Sequence, residues 1–310
     1  RILYMTTHFF TRIATFALLA ISGLLASCGA SVIKDPFVPT RVVVFGDSLS
    51  VISTTASFTV NDASVNNWAS QIAATYGVTN VVSNATPNAT VAAVAAQVAT
   101  FGANFQAGDL VLISAGFRDI INDAVAGTNT SAASATAYAN VIRTLVANGA
   151  KHIAATNVYG LEATPAAVIV PNLAASVSIA SGSGSRARAF NDALKSNLGS
   201  TVLTYIGDNV RLVDAEFYMN LVRTVPSAYA YVDTTTVVCN SVDAGSGIGI
   251  GTGQVNSSLC SATTIDPAAS ATTYTTPAYN NYLFADAVYP TPTFHRAFGV
   301  YVYNQIVLRW

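Results

Sequence analysis

The chain has 310 residues, 52% hydrophobic and 9% charged, with a formal net charge of −1. That is enough apolar material for one large core, and it excludes disorder. Fourteen Lys+Arg against 15 Asp+Glu, with no basic run, leave nothing to neutralise a phosphate backbone, so nucleic acid is excluded as a partner.

Residue 1 is Arg, and Met5 is the expected natural start. A short region carrying Arg12 precedes an apolar run, Ile13 to Ala26, that is too short to span a bilayer and reads as a signal peptide. It ends in Leu25-Ala26-Ser27-Cys28-Gly29, which resembles the bacterial lipobox. The resemblance implies a lipoprotein signal over residues 1–27, lipidation of Cys28 and a linker over 28–40. Gly29 after the Cys implies an outer-membrane or cell-surface lipoprotein of a Gram-negative bacterium, touching the membrane only through its N-terminal lipid anchor. Ordinary cleavage beside an incidental Cys is the alternative.

With Cys28 lipidated, Cys239 and Cys260 are an even pair in an export compartment and are expected to form a disulfide. They bracket Asn240–Leu259, whose glycine-rich stretch Ala244–Gly253 would not hold one conformation unaided. No metal site is expected there, with no His or third Cys nearby, and no cofactor is implied anywhere.

From Arg41 onward, short β-branched runs alternate with longer Ala-rich stretches, the pattern of βα units around a parallel sheet. The spacing predicts strands at Arg41–Phe45, Asn80–Ser83, Asp109–Ser114, His152–Asn157 and Val210–Asp214. Helices are predicted near Asn67–Tyr76, Thr90–Phe101, Ala132–Asn148 and Arg186–Asn197, with a last one from Pro292 to about Arg309, capped by Thr291. The expected fold is a three-layer α/β/α sandwich around a central parallel sheet of about five strands. Residues 41–310 form a single domain in this reading, with a loop-rich, disulfide-closed excursion near 227–282.

Directly after the first strand, Phe45-Gly46-Asp47-Ser48-Leu49-Ser50 places a Ser at a tight strand-to-helix turn, at the sheet edge where open α/β folds carry their sites. A helix N-terminus behind Ser48 would offer N–H donors to a developing oxyanion. Four further blocks follow in order: Ser114-Ala115-Gly116-Phe117-Arg118-Asp119, Asn148-Gly149-Ala150-Lys151-His152, Arg188-Ala189-Phe190-Asn191-Asp192-Ala193-Leu194, and Asp286-Ala287-Val288-Tyr289-Pro290-Thr291 with His295 beyond it.

With these blocks the sequence resembles the GDSL, or SGNH, hydrolase family from about Arg41 to Trp310. The resemblance implies a flavodoxin-like sheet and ester hydrolysis of a small ester, lipid or acylated glycan. It makes Ser48 the nucleophile and Asp286 the residue that orients the base; Gly116 and the positions of Arg118 and Asn88 fall in the oxyanion and substrate region.

The departures fall on the chemistry. Tyr289 stands where the family has its catalytic His, Arg118 where it has the oxyanion Asn, and Pro87-Asn88 where it has glycines. A phenol has an ordinary pKa of about 10 against about 6.5 for imidazole, which makes neutral Tyr289 a poor proton acceptor. Losing a triad base can cost about 10⁶-fold in turnover, and an oxyanion donor about 10²–10³-fold. Arg118 could hold an oxyanion, lower the Tyr289 pKa, or pair with Asp119 or Asp286.

Two histidines remain as substitute bases. His152, opening the fourth strand, reads as a solvated strand end, whereas His295 lies one turn into the last helix, close enough to serve. Ser48 itself reads either as a nucleophile, working or vestigial, or as a helix cap. Two functions stay open: a surface esterase or lipase using Ser48, Asp286 and His295 or Tyr289, and an inactive descendant with a binding or assembly role. The low surface charge also permits self-association, though nothing specifies it.

Overall fold

A computed structural model describes residues 36–62, 67–179, 182–201, 209–265 and 278–310. The signal peptide, Cys28 and most of the linker lie outside the described residues. The chain divides into Arg1–Phe37 and Val38–Trp310, and the account below concerns the second unit.

Five strands make the central sheet: β1 (Arg41–Phe45), β2 (Val81–Ser83), β3 (Asp109–Ile113), β4 (Ile153–Thr156) and β5 (Val210–Val213). They pair in the order β2-β1-β3-β4-β5, every pair parallel. β1, β3 and β4 are almost wholly buried, which is why they read as unbroken apolar runs rather than alternating ones.

Each strand is followed by one or more helices: α1 (Trp68–Tyr76), α2 (Val91–Phe101), α3 (Phe117–Ala126), α4 (Ser131–Ala147), α5 (Arg186–Thr201), α6 (Ala215–Thr224) and α7 (Pro292–Val307). α4 packs on α2 and α5, and α1 packs on α7. Right-handed crossovers from a sheet whose order reverses at β1 place those two groups on opposite faces. Trp68 of α1 meets Phe298 of α7 at 5.8 Å, and Tyr218 of α6 meets Phe294 at 5.5 Å. The chain is thus a three-layer α/β/α sandwich. The order reverses at β1/β3, so their carboxyl ends diverge into the crevice where such folds place their sites.

Several ends follow from local chemistry. Asn67 caps α1, its side chain accepting from the Ala69 N–H at 2.8 Å, and Asp214 caps α6 by accepting from Phe217. Thr291 does not cap α7 with its side chain as expected; its hydroxyl donates instead to the Tyr282 carbonyl at 2.6 Å, tying the helix start to the preceding strand. Helices α3 and α6 were not anticipated. Both start within a few residues of a strand, α3 inside the motif block around Arg118.

The excursion is more ordered than loops. β6 (Asp233–Val237) pairs in parallel with β9 (Tyr282–Phe284), and β7 (Val242–Asp243) pairs antiparallel with β8 (Gln254–Val255). A disulfide joins Cys239 to Cys260, and both half-cystines are buried with Val60, Val238, Tyr279, Tyr282 and Ala285 in a small satellite core. Among the described residues, no helix is long and apolar enough to cross a membrane.

Candidate active site

β1 delivers Ser48 into the crevice on a three-residue 3₁₀ turn, Ser48–Ser50, rather than at the start of an α-helix. A turn this short has no macrodipole to offer an oxyanion, so the expected helix N-terminus is replaced by individual donors. The turn is capped by Asp47, which accepts from the Leu49 N–H at 3.2 Å, and not by Ser48. Ser48 Oγ is left to accept a hydrogen bond from the Asn88 N–H at 2.8 Å. Asn88 holds φ at 57°, a left-handed conformation that Asn tolerates better than most residues. In that conformation its N–H points at the nucleophile position.

Tyr289 is buried, packs edge-on against Phe58 at 5.0 Å and is in hydrogen-bonding contact with the Ser48 side chain. Burial first, then the Asp47 charge and, to a lesser degree, the Asp286 charge raise its pKa far above that of an ordinary phenol; contact with Ser48 and the Arg118 charge act in the opposite direction without overcoming them. Asp286, fully buried, folds back on its own loop. Its Oδ1 accepts from Val288 N–H at 2.8 Å and Tyr289 N–H at 2.7 Å, and its Oδ2 from Ser257 N–H at 3.0 Å. Burial raises its pKa and these bonds partly compensate.

His295 is also buried, and neither ring nitrogen makes a well-formed hydrogen bond. Burial lowers its pKa to about 3, partly offset by the Phe58 backbone. Tyr289, not His295, therefore occupies the place beside Ser48. His152 is half-buried, its ring edge-on to Trp310 at 5.1 Å, rather than a solvated strand end.

Gly116 takes the N-cap position of α3. Arg118, in the first turn of α3, makes no ion pair among the described residues, and its Nη1 is buried without a hydrogen-bond partner. The carboxylates offered to it as partners are engaged elsewhere: Asp286 as above, and Asp119 by the Val91 N–H at 2.9 Å.

Two features of the site had no signal in the sequence. Asp47 is buried, accepts from Ser114 Oγ at 2.9 Å, and has a pKa pushed up to about 6 by burial. The glycine-rich stretch lies over the site: the Gly247 carbonyl accepts from Asn88 Nδ2 at 2.8 Å, and the Arg118 guanidinium occupies the space where a Cβ on Gly249 would stand. Ser257, from the same disulfide-closed segment, holds Asp286. Asn88 was legible in part, since Asn is the residue most able to stand in for a left-handed glycine.

A doubly wound α/β fold with a serine on the turn after β1, and an Asp-x-x segment returning from the last strand to meet it, defines a serine acylhydrolase type of domain. The chain belongs to the GDSL-like lipase/acylhydrolase family, whose model matches residues 42–302. Similar solved structures include a lipase/acylhydrolase from Enterococcus faecalis, 14% identical over 87% of this chain and 96% of that one, with a TM-score of 0.44. A possible lipase from Chitinophaga pinensis is 12% identical over 85% of this chain and 96% of that one, with a TM-score of 0.42. No curated protein sequence matches the chain.

Proposed function

We propose that this chain is an exported, lipid-anchored member of its family whose Ser48 site recognises acyl compounds but has lost the base that would turn esters over. One observation carries the reading: the group touching Ser48 where a base is needed is the buried Tyr289 phenol, held protonated by burial and by Asp47. Such a phenol donates a hydrogen bond and does not accept the serine proton near neutral pH. The anchor rests on Leu25-Ala26-Ser27-Cys28, and metabolic labelling with a palmitate analogue, lost in Cys28→Ala, tests it.

For the site, the test is hydrolysis of p-nitrophenyl acetate and butyrate beside Ser48→Ala. Turnover equal to that of the variant supports the reading. Turnover well above it supports the second reading, a working esterase acting on a small ester, lipid or acylated glycan. That reading draws on the Asn88 N–H set 2.8 Å from Ser48 Oγ, a donor ready for an oxyanion.

A further inference from the structure

Ser48 stands in the crevice where such folds admit a ligand, yet it is only 1% exposed, and Tyr289 and Asp286 beside it are as deeply buried. The segment lying over it is the β7–β8 hairpin with its glycine-rich tip, Ala244–Gly253. This segment touches three separate blocks of the site. The Gly247 carbonyl accepts from Asn88 Nδ2 at 2.8 Å, and the N–H of the same Asn88 donates to Ser48 Oγ at 2.8 Å. Gly249, at φ 91°, passes so close to Arg118 that a Cβ there would displace the guanidinium. Further on, the Ser257 N–H donates to Asp286 Oδ2 at 3.0 Å. Ile248 lies between the first two contacts and is 1% exposed, with Ile250 buried just after it.

The ends of the segment are fixed and its tip is held lightly. At one end the Cys239 N–H donates to the Ala285 carbonyl at 3.0 Å; at the other the Cys260 carbonyl accepts from the Asn61 N–H at 3.0 Å, and the disulfide joins the two. Among the described residues, the hydrogen bond that ties the tip to the crevice is Asn88–Gly247. The shape of the tip is set from within the hairpin by Asp243, whose carboxylate accepts from the Gly245 N–H and from Asn256 Nδ2, both at 2.8 Å. We propose that the tip is a lid that shuts the Ser48 crevice, with Ile248 as its plug and β7 and β8 as its hinge, so that a ligand reaches Ser48 only when the lid lifts. Burial of the plug favours the closed state, and a tip tied by so few bonds opens locally while the sheet stays folded. The disulfide keeps the hinge ends together, so lifting the tip leaves the hold of Ser257 on Asp286 in place.

The lid rests on Ser48 being the site proposed above but not on the loss of turnover, so the probe is a thiol rather than an ester. In the full chain, Ser48→Cys is alkylated with iodoacetamide at fixed pH, and peptide mapping assigns the modified position. A separate variant, Ala154→Cys in the buried strand β4, reports opening of the whole domain. The expected result is slow alkylation of the Ser48→Cys thiol, accelerated at least about tenfold by adding Ile248→Ser and likewise by adding Asp243→Ala, with the Ala154→Cys thiol unaffected by either. Asp243 is partly exposed at the hinge, so its variant carries the test should Ile248→Ser fail to fold. Alkylation of Ser48→Cys as fast in the folded protein as in urea would overturn the proposal. So would rates unchanged by both lid variants, or an equal acceleration of the Ala154→Cys thiol. Ester turnover by the wild type, together with slow and lid-dependent alkylation of Ser48→Cys, would overturn the functional reading and leave the lid standing.

Discussion

Asp47→Asn isolates the electrostatic cost of the nucleophile turn. Asp47 is buried, its Oδ1 accepts from Ser114 Oγ and the Leu49 N–H, and its Oδ2 has no partner. Its pKa is raised to about 6, with burial the leading cause. Against an unfolded value of about 3.9, that shift of about two units corresponds to about 3 kcal/mol. Because the folded value is the higher, the favourable contribution is fully present below about pH 4 and is lost as the pH rises through 6. An Asn keeps the Oδ1 acceptor and carries no charge, so whatever its amide nitrogen costs is the same at both ends of the range. The variant should therefore gain stability relative to wild type, by up to about 3 kcal/mol, between pH 4 and pH 7.5. Urea denaturation of both proteins at half-unit pH steps measures this. The depressed carboxylates Asp123 and Asp214, whose stabilisation is lost as the pH falls, act equally in both proteins and cancel in the difference. Parallel stability curves across that range would refute the assignment of a buried, strained charge to Asp47.

Tyr289→His, with Arg118→Asn, should raise Ser48-dependent p-nitrophenyl butyrate hydrolysis by at least about 10²-fold, a fraction of the roughly 10⁶-fold a triad base can supply; no gain in the folded double variant would mean Asp286 cannot orient a base there. Gly299→Ala should destabilise the domain by about 1–3 kcal/mol in thermal unfolding, because a Cβ at that crossing would lie 2.7 Å from Gln71 Cβ and 2.8 Å from the Trp68 carbonyl. Replacing both Cys239 and Cys260 by Ser removes a link between positions 21 residues apart, which should cost about 3 kcal/mol and open the segment between them to limited proteolysis.

The sheet was legible because β1, β3 and β4 are buried on both faces, so burial alone dictates apolar runs such as Val42-Val43-Val44. The disulfide was legible from cysteine parity. Helix α3 was not, because Phe117-Arg118-Asp119 reads first as a motif and only its later residues Ile120, Ile121 and Ala124 show the buried helical face. Ser48, Tyr289 and Asp286 were legible as positions in blocks, but their partners were not. The cap made by Asp47, the donor role of the Asn88 backbone and the grip of Ser257 on Asp286 depend on φ angles and on chain segments far apart in sequence. No local pattern encodes the passage of Gly249 over Arg118 either.

The central claim is that nothing activates Ser48. Treating the folded protein with a fluorophosphonate ester and measuring intact mass tests it most directly, since an activated serine forms a stable phosphonyl adduct with loss of fluoride. The account predicts no Ser48 adduct in the wild type under conditions where Tyr289→His is labelled. Stoichiometric labelling of wild-type Ser48, absent in Ser48→Ala, would contradict it.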